Sequence, residues 1–334
     1  MATRVAINGF GRVGRLVFRH LMDAEGLEVV GLNDVVPLDN LVYLLKYDSV
    51  HRRPDVEVGS SEGTLHWGDD AVEFFSERDP SDLPWKEMEV EMVLEASGIF
   101  TKRDDAAKHL DAGAGRVIVT APSKGADVTV CLGVNEGDYD PEAHTVISNA
   151  SCTTNCLAPV AKVLDDAFGI RWGFLTTVHA YTSSQAIVDA PSKKWRRGRA
   201  AAANIVPTTT GAAVATTLVL PHLEGKLDGL AMRVPVTNGS IIDFVANTGK
   251  PVSVEKVNDA MREAAESEGM KGILGFSDEE LVSQDIVGSE YSALVDGPST
   301  MVLGENTAKV LAWYDNEWGY GRRVVDLAEY VAGR

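Results

Sequence analysis

Thr3-Arg4-Val5-Ala6-Ile7-Asn8-Gly9-Phe10-Gly11-Arg12-Val13-Gly14 is the stretch on which the reading of the fold turns. Its first six residues read as a short buried strand, three spaced glycines follow at once, and Arg15 to Asp23 look helical. Strand, glycine turn and helix in that order give the G-x-G-x-x-G spacing a meaning the glycines alone lack. Gly9 permits a tight turn, Gly11 lets the backbone approach a pyrophosphate, and Gly14 lets the helix pack close to the strand. The pyrophosphate would sit at the helix N-terminus, where amides lack intrahelical partners.

Working outward, a second strand, Leu27 to Leu32, ends in Asn33-Asp34. Asp34 stands twenty residues after Gly14, the spacing of a carboxylate that accepts from the adenosine ribose hydroxyls. Its charge repels a 2′-phosphate, so NAD is favoured over NADP, with NADP use not excluded. The alternative is a loop aspartate that caps a turn. Short β-like pieces, Val56 to Val58, Thr64 to Trp67 and Ala71 to Phe75, are placed at the sheet's edge. Val90 to Ala96 resumes as a buried strand, Thr101 to Ala112 reads as a helix and Arg116 to Thr120 as the next strand. The alternation predicts an α/β fold with a mostly parallel, doubly wound sheet of the Rossmann type, whose carboxyl-end loops, including Ser97 and Thr120, face the cofactor.

The second half carries different chemistry. In Ser148-Asn149-Ala150-Ser151-Cys152-Thr153-Thr154-Asn155-Cys156 a cysteine precedes a helix-like run to Phe168, with Ser151 as N-cap. A helix start favours a thiolate, so Cys152 is expected to be a nucleophile. Gly173 to Thr182 reads as a strand ending at His179, a candidate base for that cysteine; by itself, such a histidine is more often structural. Ser192 to Arg199 gathers five basic residues, suited to a phosphate, to nucleic acid, or to a solvated or subunit-facing loop. Pro207 to Ala212 combines hydroxyls with a flexible backbone that suits an anion, and Arg233 lies within an apolar strand, where a charge needs a carboxylate or a bound anion. Strand-like runs at Ile241 to Ala246, Tyr291 to Asp296, Met301 to Val302 and Ala308 to Tyr314 predict a second, α+β domain on a largely antiparallel sheet. Val254, Val257, Met261 and Ala264 have the helical spacing of core residues. An amphipathic segment from about Gly321 to Val331 is expected to pack back on the first domain. The resulting division is 1–150 for the cofactor, with 317–334 joining it, and 151–316 for catalysis and oligomerisation.

The 334 residues, 45% of them hydrophobic, suffice for two domains with substantial cores. A net charge of −18 argues against a nucleic-acid-binding surface or attraction to anionic membranes. It fits a soluble cytoplasmic enzyme, or one adapted to a salty cytoplasm. Cys131, Cys152 and Cys156 are too few and too irregular for a disulfide framework or a four-ligand zinc site, so no metal and a reducing compartment are expected. No leader or membrane-spanning run is apparent.

Taken together, Asn8 to Arg15, Ser148 to Pro159, His179-Ala180-Tyr181-Thr182, Pro207 to Ala213, Ala231 to Pro235 and Tyr314 to Tyr320 closely resemble the phosphorylating glyceraldehyde-3-phosphate dehydrogenases of bacteria and eukaryotes. The resemblance implies oxidation of glyceraldehyde 3-phosphate, in glycolysis or gluconeogenesis, through a Cys152 thioester that inorganic phosphate cleaves, with His179 moving the proton. It implies that Thr182 and Arg233 hold the substrate phosphate and that Ser151, Thr153, Thr210 and Gly211, with Arg197 nearby, hold the attacking phosphate. For NAD it implies pyrophosphate contacts from Gly9, Gly11, Arg12 and Val13, ribose contact from Asp34, Arg78 at the adenine end, Ser97 and Thr120 on the cleft wall, and Asn316 on the nicotinamide carboxamide. Residues 181–205 resemble a loop that reaches a neighbouring subunit's cofactor, which implies a homotetramer.

Two segments depart from the family: Ser183-Ser184-Gln185-Ala186 replaces an Asn-Asp-Gln-Arg-like run, and Ala190-Pro191-Ser192 mixes features of NAD-preferring and NADP-accepting relatives. Cys156 also matches the family and otherwise reads as a packed small residue. Other readings are an erythrose-4-phosphate dehydrogenase, an NADP-using biosynthetic relative, a Cys-His thiol hydrolase, and an NAD-sensing or RNA-binding protein. The glycine fingerprint with Asp34 speaks against the hydrolase. The chemistry-bearing residues speak against a purely binding role.

Overall fold

The computed structural model describes residues 2–334, which form two compact units. The first comprises residues up to Val130, Gly137–Ala150 and Gly321–Arg334; the second comprises Cys131–Glu136 and Ser151–Tyr320.

In the first unit β1 (Thr3–Asn8), α1 (Arg12–Leu21), β2 (Leu27–Asn33) and α2 (Leu38–Lys46) are followed by β3 (Val58–Ser61), β4 (Thr64–Trp67) and β5 (Asp70–Phe75). Next come β6 (Met92–Glu95), α3 (Arg103–Ala106), α4 (Lys108–Asp111), β7 (Arg116–Val119), β8 (Val128–Thr129) and β9 (Val146–Ser148). They form one sheet in the order β3-β4-β5-β2-β1-β6-β7-β9-β8. The β3-β4-β5 meander is antiparallel and occupies one edge, and every other pairing is parallel. The central strands read as near-continuous apolar runs because both faces are covered: Val5, Ala6, Ile7, Val93, Leu94 and Ile118 are all fully buried. Each buried Val, Leu or Ile contributes roughly 1.5–3 kcal/mol of transfer free energy. Strand order reverses between β1 and β6, whose carboxyl-terminal residues Asn8 and Glu95 lie side by side in register. That is where open α/β sheets bind ligands.

The helix expected over Thr101 to Ala112 is two short helices that meet at Ala107. Leu110 and Asp111 amides both turn back to the Ala107 carbonyl, and the segment places His109 in the core, fully buried.

The second unit contains α5 (Cys152–Phe168), β10 (Ile170–Ala180), β11 (Val206–Thr209), α6 (Ala212–Val219), β12 (Leu227–Val234), β13 (Ser240–Thr248) and α7 (Val254–Glu266). It continues through β14 (Leu274–Ser277), β15 (Ala293–Asp296), β16 (Met301–Leu303) and β17 (Thr307–Tyr314). The sheet order is β11-β12-β10-β13-β17-β15-β14, with β16 also on β17. Its pairings are antiparallel except β10 with β12 and β14 with β15. Leu175, Thr177, Ala231, Ile242, Phe244, Val310 and Ala312 form the buried face, against which α5 packs. Phe174, Leu230 and Met232 alternate with them and stay exposed. On α7, Val257 and Met261 are core residues as their spacing predicts, whereas Val254, in the first turn, is 40% exposed. A last helix, α8 (Trp318–Ala332), returns the chain to the first unit, where Gly321 lies close against His20 of α1.

Candidate active site

Cys152 is the first residue of α5. Ser151 caps the helix: its backbone is extended, and its Oγ accepts from the Thr154 amide at 3.1 Å. Such a cap is worth about 1 kcal/mol. Ala150, just before it, takes a left-handed φ of 54°, which turns the chain sharply into the helix.

β10 delivers the second group. Leu175, Thr177 and His179 alternate onto the face that α5 covers, and His179 Nε2 lies 3.6 Å from Cys152 Sγ. Its other nitrogen, Nδ1, is 2.7 Å from the Ala180 carbonyl. A carbonyl only accepts, so Nδ1 carries the proton and the Nε2 lone pair faces the thiol. Arg233, the register partner of His179 on β12, donates from Nη1 to the same carbonyl at 2.9 Å. That nitrogen is also 3.0 Å from Nδ1, a contact between two donors.

The electrostatics follow from this packing. Burial, then the Arg233 charge, push His179 down to about 3, so the imidazole is neutral at ordinary pH. Burial pushes the Cys152 thiol up, opposed by Arg233 and by hydrogen bonds from Thr153. The helix start alone therefore does not make a resting thiolate; desolvation outweighs it, and the pair rests as neutral thiol and neutral base. Solvent still reaches part of Cys152, so the thiol is desolvated without being sealed off.

The cations sort themselves around a chain of hydroxyls. Arg233 Nη1 reaches Thr182 Oγ1 at 3.4 Å, Thr182 meets Ser184 at 2.9 Å, and Arg197 Nη1 reaches Ser184 Oγ at 3.4 Å. Arg197 also donates from Nε to Thr208 Oγ1 at 3.0 Å. Among the described residues neither Arg197 nor Arg233 has a carboxylate partner, and Arg233 Nε is buried without a hydrogen bond. Two unneutralised guanidiniums beside His179, one of them also acting on the thiol, are suited to an anionic substrate. Elsewhere in the basic stretch Lys194 pins Thr209 and Arg199 pairs with Asp189, while Trp195 stands 89% exposed.

Thr153 bonds through Oγ1 to the Tyr314 hydroxyl at 2.8 Å, and so does Thr177. The Tyr314 ring meets His179 edge-on, with centroids 5.9 Å apart. Sequence reasoning drew no role from Tyr314, because only the β13–β17 and β10–β13 registers bring it there. Thr210 caps toward the Ala212 amide, and Gly211 opens α6, which packs on α5. No hydrogen bond joins Thr210 or Gly211 to Ser151 or Thr153. Asn316 Oδ1 accepts from Ser240 Oγ, which itself accepts from the Ala180 amide, so Asn316 is tied to the end of β10. Cys156 is a fully buried free thiol 3.7 Å from the Ala312 carbonyl, as its packed reading implies.

In the first unit Gly9 has φ 93° and a Cβ there would stand 2.3 Å from the Ser97 amide nitrogen. At Gly14 a Cβ would meet the Gly9 carbonyl at 2.0 Å. At Gly11, the N-cap of α1, a Cβ would meet no protein atom within 4 Å, and no side chain caps the helix. The three glycines thus serve turn, packing and open approach, each as its position predicts. Asp34 Oδ2 accepts from the Phe10 amide at 2.7 Å, which fixes the carboxylate against the glycine loop. The Arg12 guanidinium forks onto Asp48, while Val13 is half-buried. Arg78 is exposed; Ser97 and Thr120 are both bonded to Glu95.

Among the described residues no helix is long and apolar enough to cross a membrane. Residues 3–103 match a family model described as glyceraldehyde 3-phosphate dehydrogenase, NAD binding domain, and residues 151–316 one described as that enzyme's C-terminal domain. Proteins named glyceraldehyde-3-phosphate dehydrogenase from Priestia megaterium and Geobacillus stearothermophilus are each 55% identical over 334 residues, covering 100% of this chain and 99% of the relative. Glyceraldehyde-3-phosphate dehydrogenase 1 of Bacillus subtilis is 54% identical over 332 residues, 99% of each chain. With both halves matched and relatives aligned from end to end, the chain belongs to the glyceraldehyde-3-phosphate dehydrogenase family, and its first half is that family's NAD-binding domain.

Proposed function

We propose that this enzyme oxidises D-glyceraldehyde 3-phosphate to 1,3-bisphosphoglycerate with NAD and inorganic phosphate. The observation that carries the reading is the 3.6 Å approach of Cys152 Sγ to a His179 whose free lone pair faces it, beside two arginines without carboxylates. Arg233 and Thr182 hold the substrate phosphate. His179 Nε2 takes the Cys152 proton as sulfur attacks the aldehyde carbon, and the proton then passes to the oxygen to give a thiohemiacetal. Bound phosphate offsets the Arg233 charge, which raises the basicity of His179 when the base is needed. Bound NAD supplies the acceptor for the hydride that leaves this carbon. His179 removes the hydroxyl proton in that step, leaving a thioester on Cys152. Inorganic phosphate, held by Ser151, Thr153, Thr210 and Gly211 with Arg197 nearby, attacks the thioester carbon; the carbon–sulfur bond breaks and Cys152 is restored.

The first unit suits NAD on its own geometry. The empty space at Gly11 and the uncapped start of α1 suit the pyrophosphate, while the Gly9 and Phe10 amides already donate to the Asn33 carbonyl and to Asp34. With its guanidinium on Asp48, Arg12 contributes through its amide, as does Val13. Asp34 has lone pairs beyond the Phe10 bond for ribose hydroxyls, and its charge disfavours NADP. Within this unit Arg78 serves the adenine, and Ser97 and Thr120 the wall of the site. The first unit thus binds cofactor and the second carries the chemistry.

A cytoplasmic homotetramer is part of the same reading. The exposed apolar face of Phe174, Leu230 and Met232, with Trp172 at its end and Ile187, Val188 and Trp195 on the loop, supports assembly. Initial rates with glyceraldehyde 3-phosphate and erythrose 4-phosphate, each with NAD and NADP and with and without phosphate, test the function. Equal preference for erythrose 4-phosphate, or oxidation that needs no phosphate, would overturn it.

A further inference from the structure

Beneath the glycine loop lies a buried polar network that neither the sequence nor the proposed mechanism accounts for. Glu95, the last residue of β6, is 2% exposed and, among the described residues, has no Lys or Arg partner. Its Oε1 accepts from the Ser97 amide and the Ser97 hydroxyl. Its Oε2 accepts from Asn8 Nδ2 and lies 3.1 Å from His109 Nε2. Its backbone carbonyl holds the Thr120 amide and hydroxyl.

The directions of these bonds are fixed. Trp85 Nε1, which only donates, lies 3.0 Å from His109 Nδ1, so Nδ1 accepts and Nε2 carries the proton that points to Glu95. On the other side the Glu77 amide donates to Asn33 Oδ1, Asn33 Nδ2 donates to the Glu77 carbonyl and to Asn8 Oδ1, and Asn8 Nδ2 donates to Glu95. Every chain of donors ends on Glu95, a place that only an acceptor-only carboxylate can fill. The groups it fixes surround the NAD site: Asn8 precedes Gly9, the Ser97 backbone touches Gly9, Thr120 follows the last residue of the neighbouring strand β7, and Glu77 precedes Arg78.

We propose that Glu95, held by His109, is a positioning residue for NAD: it sets the Gly9 turn, the Ser97 and Thr120 wall and the Glu77–Arg78 segment in one geometry before cofactor arrives. The inference rests on the NAD reading above. In Glu95→Gln two of the four donors face an amide NH₂: turned one way it leaves the Ser97 N–H unpaired, although the Ser97 hydroxyl can rotate to accept, and turned the other way it sets Asn8 and His109 against it.

The test is steady-state kinetics and direct NAD titration of the full-length enzyme. Glu95→Gln is expected to raise KM and Kd for NAD about tenfold, the loss of one charge-assisted hydrogen bond. Saturating kcat, KM for the aldehyde and the NAD-free rate of Cys152 alkylation should stay within about twofold. His109→Phe, which leaves Glu95 three donors, should raise KM for NAD by a smaller factor, and His109→Gln, which can still donate, should restore it. Asp127→Asn serves as a control for mere destabilisation: Asp127 braces Thr145, Val146 and Arg103 in the same unit and takes no part in the Glu95 network. Unchanged NAD affinity in folded Glu95→Gln and His109→Phe, or an equal loss in Asp127→Asn, overturns the proposal. Should Glu95→Gln not fold, His109→Phe against His109→Gln decides. Failure of the unaltered enzyme to bind NAD would instead sink the NAD reading.

Discussion

Replacing Tyr314 with Phe removes one oxygen and leaves a ring that is 2% exposed in the same place. That oxygen bridges Thr153 Oγ1 and Thr177 Oγ1 at 2.8 Å each, and the two threonines are only 4% and 1% exposed. Water cannot readily replace the lost partner. An orphaned buried hydroxyl costs roughly 1–3 kcal/mol, so the net destabilisation should be about 2 kcal/mol. Burial holds the Tyr314 phenol well above its ordinary range, so it remains a neutral O–H and the loss should be flat from about pH 6 to about pH 9. The edge-on contact with His179 belongs to the ring and survives. Scanning calorimetry should therefore show a lower transition, while iodoacetamide alkylation of Cys152 changes less than about twofold. KM for inorganic phosphate should rise, because Thr153 loses the partner that orients it. An unchanged transition, or a collapse of thiol reactivity, would refute the bridging role.

Three further outcomes are expected. Cys152→Ala should abolish turnover yet leave NAD binding largely intact, measured by titration; substantial residual activity would remove Cys152 as the nucleophile. Asp34→Gly should weaken NAD more than NADP in kcat/KM and, through loss of the Phe10 bond, also lower affinity for both cofactors; an unchanged ratio would exclude Asp34 from selectivity. His179 is held near 3 when folded against an ordinary 6.5, so the folded state binds fewer protons between these values. The stability it contributes is complete above 6.5 and drains as pH falls toward 3, about 2 kcal/mol of it by pH 5. Guanidinium unfolding should show His179→Gln losing less stability than the parent between about pH 7.5 and pH 5, and identical losses would contradict the assignment.

The sequence made legible those features that local chemistry writes into adjacent residues. The glycine loop, the Ser151 cap and the strand carrying His179 all follow from spacing, and each stands where its spacing puts it. Arg233 could be read as a charge in need of an anion, yet its meeting with His179 depends on the parallel register of β10 and β12. Tyr314 is 161 residues from Thr153 in sequence, and Glu95 is 87 from Asn8; nothing local announces such pairs. The resting charge of Cys152 was also hidden, since helix-end electrostatics is visible in sequence and the burial that opposes it is not. In the same way His109 looked like one more position on a continuous helix, while the fold breaks that helix at Ala107 and places His109 between Trp85 and Glu95.

The most direct measurement mixes enzyme and NAD with glyceraldehyde 3-phosphate in phosphate-free buffer. About one NADH per chain should form and then stall, with the intact mass raised by one acyl group that peptide mapping finds on Cys152. Added phosphate should discharge the adduct and restart turnover. Sustained NADH production without phosphate, or an acyl group anywhere but Cys152, would contradict a cysteine that hands its thioester to phosphate.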